Sequence, residues 1–352
     1  MKAVVLRGHG GFDRLDYCDV PVPHPGPDEV LVRVAAAALN NTDINTRVGW
    51  YSRSVEQSTA HAALGSGAAS VNDGGWCGTP FTFPRIQGAD ACGRIVAVGS
   101  RVAPTRVGER VIVDPVLRSP AGTLHDIGYL GADRDGAFAE FVSVPARNAH
   151  AVRCGLTDVE LAAVPCAYSA ALNMVTRACV RDGEVVLVTG ASGGVGSATV
   201  QLVRDRGARA IAVCAISKAN EIKALGAERV LDRAEDVRDA LGPESVDVVM
   251  DVAGGPTFPA LLDVLRRGGR YAVAGAIAGP VVALDLRTLY LKDLTLYGCT
   301  VTTAALFLEL VALLEQGRLH PVVSTTFPLA QMTAAQSLFL EKRHTGKIVL
   351  VP

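Results

Sequence analysis

Three absences bound this 352-residue chain before any motif is read. Lys and Arg number 34 and Asp and Glu 35, a formal net charge of −1 with no block of either sign. Without a basic stripe, the chain has no electrostatic footprint for nucleic acid or an anionic membrane surface. No apolar run approaches the ~20 residues of a membrane-spanning helix. The eight cysteines (Cys18, Cys77, Cys92, Cys154, Cys166, Cys179, Cys214 and Cys299) never form a C-x-x-C pair. That excludes a dense disulfide framework and a paired-cysteine structural zinc site, and makes most of these thiols reduced packing residues. The opening Met1–Leu6 reads as a strand followed by a glycine turn, too short for a signal-peptide core. A soluble, cytoplasmic protein is expected. The hydrophobic share of 49% is enough for sizeable cores and rules out a mostly disordered chain.

At ~150 residues per domain, the length suggests two domains. The first ~150 residues carry β-branched runs at Val30–Val34, Arg94–Val98 and Arg110–Val113, bounded by Gly, Pro and Asp. A compact, barrel-like β unit follows. Two stretches break the rhythm: a Ser/Ala/Gly-rich segment from Ser52 to Phe83, and a polar one from Ser119 to Gly136. Structureless loops longer than ~12–15 residues are usually functional or disordered.

Beyond Leu156, strands alternate with helical patterns. Expected strands are Glu184–Val188, Ala210–Ala215, Val246–Met250, Arg270–Ala274 and Leu294–Gly298. One helix follows the first of these and stops near Gly207; another spans Pro256 to Arg267 and is closed by Gly268-Gly269. This outlines an α/β, doubly wound Rossmann domain with a parallel six-stranded sheet over 155–300. Residues 1–154 and 301–352 form the other domain, the tail (a helix Ala305–Gln316 and a strand Lys347–Leu350) returning to pack on it.

The most informative segment is Thr189-Gly190-Ala191-Ser192-Gly193-Gly194-Val195-Gly196. Glycines let the backbone turn tightly against a pyrophosphate, and the helix beyond offers free N–H groups and a positive dipole end. Ala191 replaces one glycine of G-x-G-x-x-G, but the strand before and the helix after restore the context. Gly190, Ser192, Gly193, Gly194, Val195 and Gly196 are therefore assigned to a dinucleotide. An NAD site usually places a carboxylate at the end of the next strand, to hold the ribose 2′-hydroxyl. The chain has Cys214-Ala215-Ile216-Ser217-Lys218 there, with no acid before Glu221. A hydroxyl and a cation suit a 2′-phosphate, so Ser217 and Lys218 predict NADPH; the competing reading makes Lys218 a solvated helix-start lysine.

The order of β-rich domain, Gly-Ala-Ser-Gly-Gly-Val-Gly, Leu225-Gly226-Ala227, Gly268-Gly269-Arg270 and Gly346-Lys347-Ile348-Val349-Leu350 resembles the medium-chain dehydrogenase/reductase superfamily. Within it, the chain looks like the zinc-independent quinone oxidoreductase-like branch. The resemblance covers nearly the whole chain. It implies a GroES-like catalytic domain beside the Rossmann domain, a cleft where nicotinamide meets a small-molecule substrate, and a homodimer. Zinc members of the superfamily hold their metal through a Cys, a His in Gly-His-Glu and a later Cys. This chain has Asn40 at the first position and Ala89 in Gly88-Ala89-Asp90; only Cys166 remains. One soft ligand cannot build a three-ligand site, so no metal is expected.

The stretch Asn40-Asn41-Thr42-Asp43-Ile44-Asn45, continuing to Tyr51, is similar to metal-free quinone oxidoreductases and mitochondrial-type 2-enoyl thioester reductases. In the latter, the tyrosine matching Tyr51 lies beside nicotinamide and is assigned proton donation. Hydride delivered to the β-carbon of an enone leaves an enolate, which needs hydrogen-bond donors and a proton. A phenol, ordinarily near pKa ~10, supplies both without a metal. Tyr51 is thus a donor or an aromatic that only walls the cofactor, and Tyr168 competes for the donor's place. Asn40 and Thr42 are expected to orient nicotinamide or substrate, and Asp43 to fix the local turn. The Ser52–Phe83 insertion either lids the site, with Trp76 as a wall, or is a disordered surface loop.

The leading expectation is an NADPH-dependent, metal-free reductase of activated C=C bonds or quinones. The alternatives are a zinc-free alcohol or carbonyl oxidoreductase, and an NADPH-binding structural or regulatory protein with little catalysis.

Overall fold

The structure is a computed structural model, which describes residues 1–64, 71–76, 80–119 and 127–352. Cys77 and parts of both irregular segments lie outside the described residues. Contacts divide the chain into two units: 1–55, 60–166 and 307–352 in one, 56–59 and 167–306 in the other.

The first unit is built around the strand Glu29–Ala38, whose Val30, Val32, Ala36, Ala37 and Ala38 are buried. It pairs antiparallel with Cys92–Val98, Phe141–Pro145 and Lys347–Val351. The C-terminal strand thereby joins a seven-stranded sheet begun by N-terminal strands. Ile95, Val111, Val144, Phe138 and Ile348 fill the core beneath. Where the central strand ends, Asn40 starts the helix Asn41–Arg47, and its backbone N–H donates to Asp43 Oδ2 at 2.8 Å. An acid three residues into a helix both satisfies that donor and complements the dipole.

The second unit has six parallel strands. In chain order they are Val185–Val188, Arg209–Cys214, Ala227–Asp232, Val246–Asp251, Leu265–Val273 and Thr295–Gly298. Their spatial order is 3-2-1-4-5-6, the doubly wound arrangement expected from the alternating pattern. Leu187, Val249, Leu261 and Leu265 lie at its core.

Three boundaries differ from expectation. The helix expected over Pro256–Arg267 ends at Asp263, because Leu265 pairs with Val246 and already belongs to the fifth strand. Gly268-Gly269 serves a register shift between Val246 and Val248 rather than a helix stop, and Gly268 takes φ +71°. The first unit also continues to Cys166 instead of residue 154, since the helix Asp158–Ala162 packs on Glu29–Ala38 and Cys92–Val98. Its C-terminal part resumes at Phe307 rather than 301.

Candidate functional site

In the second unit, the strand Val185–Val188 runs into the glycine turn and the helix Gly194–Asp205. Gly190 has φ +56°, and a Cβ there would meet Val252 Cγ2 at 2.8 Å. A Cβ on Gly196 would stand 2.3 Å from the Gly190 carbonyl oxygen, so the helix approaches the turn only because that position is bare. Gly193 begins the helix and has no side chain to cap it, which leaves first-turn N–H groups for an anion.

A polar hub that the sequence reading did not find fixes this turn from behind. Asp251, fully buried, accepts the Thr189 hydroxyl and the Tyr271 hydroxyl, each at 2.5 Å, and the Ala253 N–H at 2.8 Å. Thr189 Oγ1 in turn accepts the Val252 N–H at 3.1 Å. Burial and then the Asp251 carboxylate push the Tyr271 phenol well up, so it stays a donor. The signal was available: a polar Thr closing one buried strand and an Asp closing its neighbour.

Lys218 is 7% exposed, and its Nζ lies 3.4 Å from Ser192 Oγ. It is therefore not the solvated helix-start lysine of the competing reading; burial lowers its pKa, and the nearby Arg233 cation adds to that effect. Ser217 is exposed beside it. Asp232, the nearest carboxylate on the adjoining strand, is turned to the Ile216 and Ala234 N–H groups. Together, turn, helix terminus, hydroxyl and cation fit a dinucleotide whose phosphates need N–H donors and positive charge. Tyr168 also belongs to this unit. It is fully buried, with its hydroxyl accepting from Gln201 Nε2 at 3.3 Å, which is the environment of a packing residue.

The first unit gathers a second group. Asn40, Thr42, Asp43 and Tyr51 come from the start of the helix Asn41–Arg47 and the turn after it. Asn40 is buried, and both ends of its amide are engaged: Nδ2 donates to Asp90 Oδ2 at 2.9 Å, while Oδ1 accepts from Lys347 Nζ. Lys347 Nζ is also 3.0 Å from Asp90 Oδ2, and Asp90 Oδ1 accepts the Cys166 N–H at 2.6 Å. Asn40 therefore holds a buried ionic triangle together and does not have a free amide to orient a ligand, contrary to the expectation for it. Lys347 was visible only as part of a terminal strand; nothing in its local sequence marks it as buried.

Tyr51 is partly exposed, and its hydroxyl donates to Thr42 Oγ1 at 3.1 Å. Desolvation pushes the phenol up to about 12, opposed by hydrogen bonds with Thr42 and Asn45. Cys166 shares this character, its thiol pushed up to about 12 by burial and then by Asp90, with Lys347 opposing. Burial also lifts Asp43 to about 7, against its bond from the Asn40 N–H and the charge of Lys347. Tyr129, on the short strand Ile127–Tyr129, completes the group with its hydroxyl donating to Cys166 Sγ at 3.1 Å.

This donor set does not fit a zinc ion. Ala89 is buried with no ligating atom, Asn40 is occupied by Lys347 and Asp90, and an ammonium stands beside the remaining positions. Among the described residues, no three His, Cys, Asp or Glu side chains are grouped to hold a metal. Trp76, from the inserted segment, is 7% exposed, with its ring stacked on that of Tyr129 at 4.7 Å and 27°. At least this part of the insertion is packed structure rather than a surface loop.

Comparison with known proteins gives the same two-part picture. An "Alcohol dehydrogenase GroES-like domain" model matches residues 26–153, and a "Zinc-binding dehydrogenase" model matches 225–350. The acryloyl-coenzyme A reductase of Metallosphaera sedula is 30% identical, over 99% of each chain. The quinone oxidoreductase of Lama guanicoe is 26% identical, over 100% of this chain and 97% of its own. Among solved structures, a Sinorhizobium meliloti 1021 protein described as a candidate alcohol dehydrogenase superposes with a TM-score of 0.90 at 46% identity. That match covers 100% of this chain and 96% of the other.

Proposed function

This chain belongs to the medium-chain dehydrogenase/reductase superfamily and is an oxidoreductase that uses a nicotinamide cofactor; on that premise, we propose that it is an NADPH-dependent, metal-free reductase of C=C bonds conjugated to a carbonyl, or of quinones. The observation that carries the reading is Tyr51, a half-buried phenol whose hydroxyl is held by Thr42 Oγ1, in a unit where Asn40 and Asp90 are taken up by Lys347 and offer little to a metal.

Gly190, Ser192, Gly193, Gly194, Val195 and Gly196 would hold the pyrophosphate, and Ser217 and Lys218 the 2′-phosphate. When bound, the reduced nicotinamide supplies a hydride. The chain's own residues do the rest. A conjugated carbonyl that accepts electrons at its β-carbon develops negative charge on oxygen, and donors fixed beforehand stabilise it without reorganisation. Tyr51, kept protonated far above neutral pH, has an O–H proton for the α-carbon, with Thr42 Oγ1 fixing the direction of that hydroxyl. The relative reducing acryloyl-coenzyme A supports α,β-unsaturated thioesters as the substrate class.

Tyr51→Phe tests the assignment. With acryloyl-CoA, kcat should fall about 10²–10⁴-fold, the usual worth of a general acid. Near-normal turnover would remove Tyr51 from that role. A wild-type enzyme that oxidises simple secondary alcohols and ignores conjugated carbonyls would reject the proposal itself.

Two further features support the assembly and setting that we infer. Leu286, Tyr290 and Leu291 are 64%, 62% and 56% exposed beside the edge strand Thr295–Gly298, an apolar border that suits pairing with a second copy in a homodimer. A light-scattering mass of one chain would count against it. The seven described cysteines are all free thiols, which suits the cytoplasm.

A further inference from the structure

Three segments far apart in sequence converge on one hydroxyl. Tyr129 lies on the strand Ile127–Tyr129, Cys166 starts the helix Pro165–Arg177, and Trp76 belongs to the inserted segment. The Tyr129 ring is held against the indole of Trp76, and its N–H donates to Asp133 Oδ2 at 2.7 Å. Side chain and backbone are therefore both fixed. The direction of the hydroxyl is set before any ligand arrives.

Its partner is chemically odd. A phenol is a strong donor, whereas a thiol sulfur is a weak acceptor. The oxygen acceptors nearby are taken: Asp90 Oδ1 by the Cys166 N–H, and Asp90 Oδ2 by Asn40 and Lys347. Tyr129 is thus a preorganised donor resting on the poorest acceptor of the cluster. That acceptor is not sealed off, because Cys166 and Tyr51 both keep partial solvent exposure. Tyr129 and Tyr51 sit within electrostatic reach of each other and of Cys166, and burial followed by the thiol keeps the Tyr129 phenol protonated.

We propose that Tyr129 is a catalytic hydrogen-bond donor whose hydroxyl exchanges Cys166 Sγ for the carbonyl oxygen of the bound α,β-unsaturated substrate, and that Trp76 is the positioning residue which aims it. The inference rests on the reductase reading above and deepens it: Tyr51 supplies a proton, while Tyr129 keeps its own and steadies the oxyanion. Exchange is favourable because a hydrogen bond to an oxyanion is charge-assisted, roughly twice as strong as one between neutral groups. The inserted segment then gains a purpose, since its indole is the surface on which the donor lies.

The test uses the full chain with NADPH and acryloyl-CoA. Tyr129→Phe should lower kcat/KM about 10²–10³-fold, as loss of one oxyanion donor does elsewhere. NADPH affinity, read by fluorescence titration without turnover, should stay within about twofold if only that hydroxyl is lost. Cys166→Ala, which removes only the resting acceptor, should lower kcat/KM far less than Tyr129→Phe does, because the donor itself remains. Trp76→Phe keeps an aromatic surface and should cost less than Trp76→Ala. Unchanged kcat/KM in Tyr129→Phe, or a loss shared equally by Cys166→Ala, would overturn the assignment. If the wild-type enzyme reduces none of acryloyl-CoA, methyl vinyl ketone and a benzoquinone, the reductase reading itself has failed, which is a separate outcome.

Discussion

Lys347→Met is the sharpest perturbation of the buried triangle. The lysine side chain is 4% exposed and the Asp90 side chain 0%, so neither can turn to water when the other is removed. Taking away the ammonium leaves a buried carboxylate with two remaining donors, the Asn40 amide and the Cys166 N–H. Breaking a buried pair from one side costs about 3–5 kcal/mol, mostly the penalty of stranding a charge. At about 2–4 °C per kcal/mol for a unit of this size, the melting transition should fall by about 6–20 °C. The double variant Lys347→Met with Asp90→Asn should recover most of that loss, because an uncharged pair strands nothing. In it, the Asn40 amide can turn its freed Oδ1 toward the introduced amide, while the Cys166 N–H keeps an oxygen to donate to. Calorimetry on wild type, both single variants and the double variant closes the cycle. A single variant within about 1 kcal/mol of wild type, or a double variant no better than Lys347→Met, would refute the view that charge neutralisation holds this site together.

Two other outcomes follow from the geometry. If Lys218 meets a 2′-phosphate as proposed, Lys218→Met removes one charged contact worth about 1.5–3 kcal/mol, so NADPH should bind about tenfold to a hundredfold more weakly while NADH is unaffected; equal weakening of both would assign Lys218 to folding alone. Asp43, lifted by burial to about 7 from an ordinary ~3.9, binds its proton more tightly in the folded chain than in the unfolded one. Its contribution is then fully present below about pH 4 and is lost as pH rises through about 7, and urea melts of Asp43→Asn should lack that decline. Parallel pH slopes in the two proteins would sink this account.

The fold of the parallel-sheet half was legible because its determinants are local. The turn Gly190–Gly196, the strand before it and the helix after it are contiguous, and each residue's role depends on backbone conformation and near neighbours. The helix end at Asp263 was not legible. Gly268-Gly269 reads as a stop signal in isolation, yet pairing with Val246 recruits Leu265 into the sheet and makes the glycines part of a bulge.

The amino-acid order alone determined the two-part architecture, five of the six parallel strands and the glycine turn, since periodicity and glycine placement act over a few residues; the strand Ala227–Asp232 was not among those expected. It also fixed the side-chain chemistry at Asn40 and Ala89, neither of which brings the Cys or His of a zinc-ligand set, whatever the fold. Only the tertiary structure decided which polar groups meet. Asn40, Asp90, Cys166 and Lys347 span most of the chain, and burying them together turns an unremarkable terminal lysine into the charge that balances the site. The same holds for the phenols: Tyr168 was drawn into a core, whereas Tyr129 was carried to a sulfur. Electrostatic and packing energies depend on distance in space, and spacing along the chain does not encode that distance.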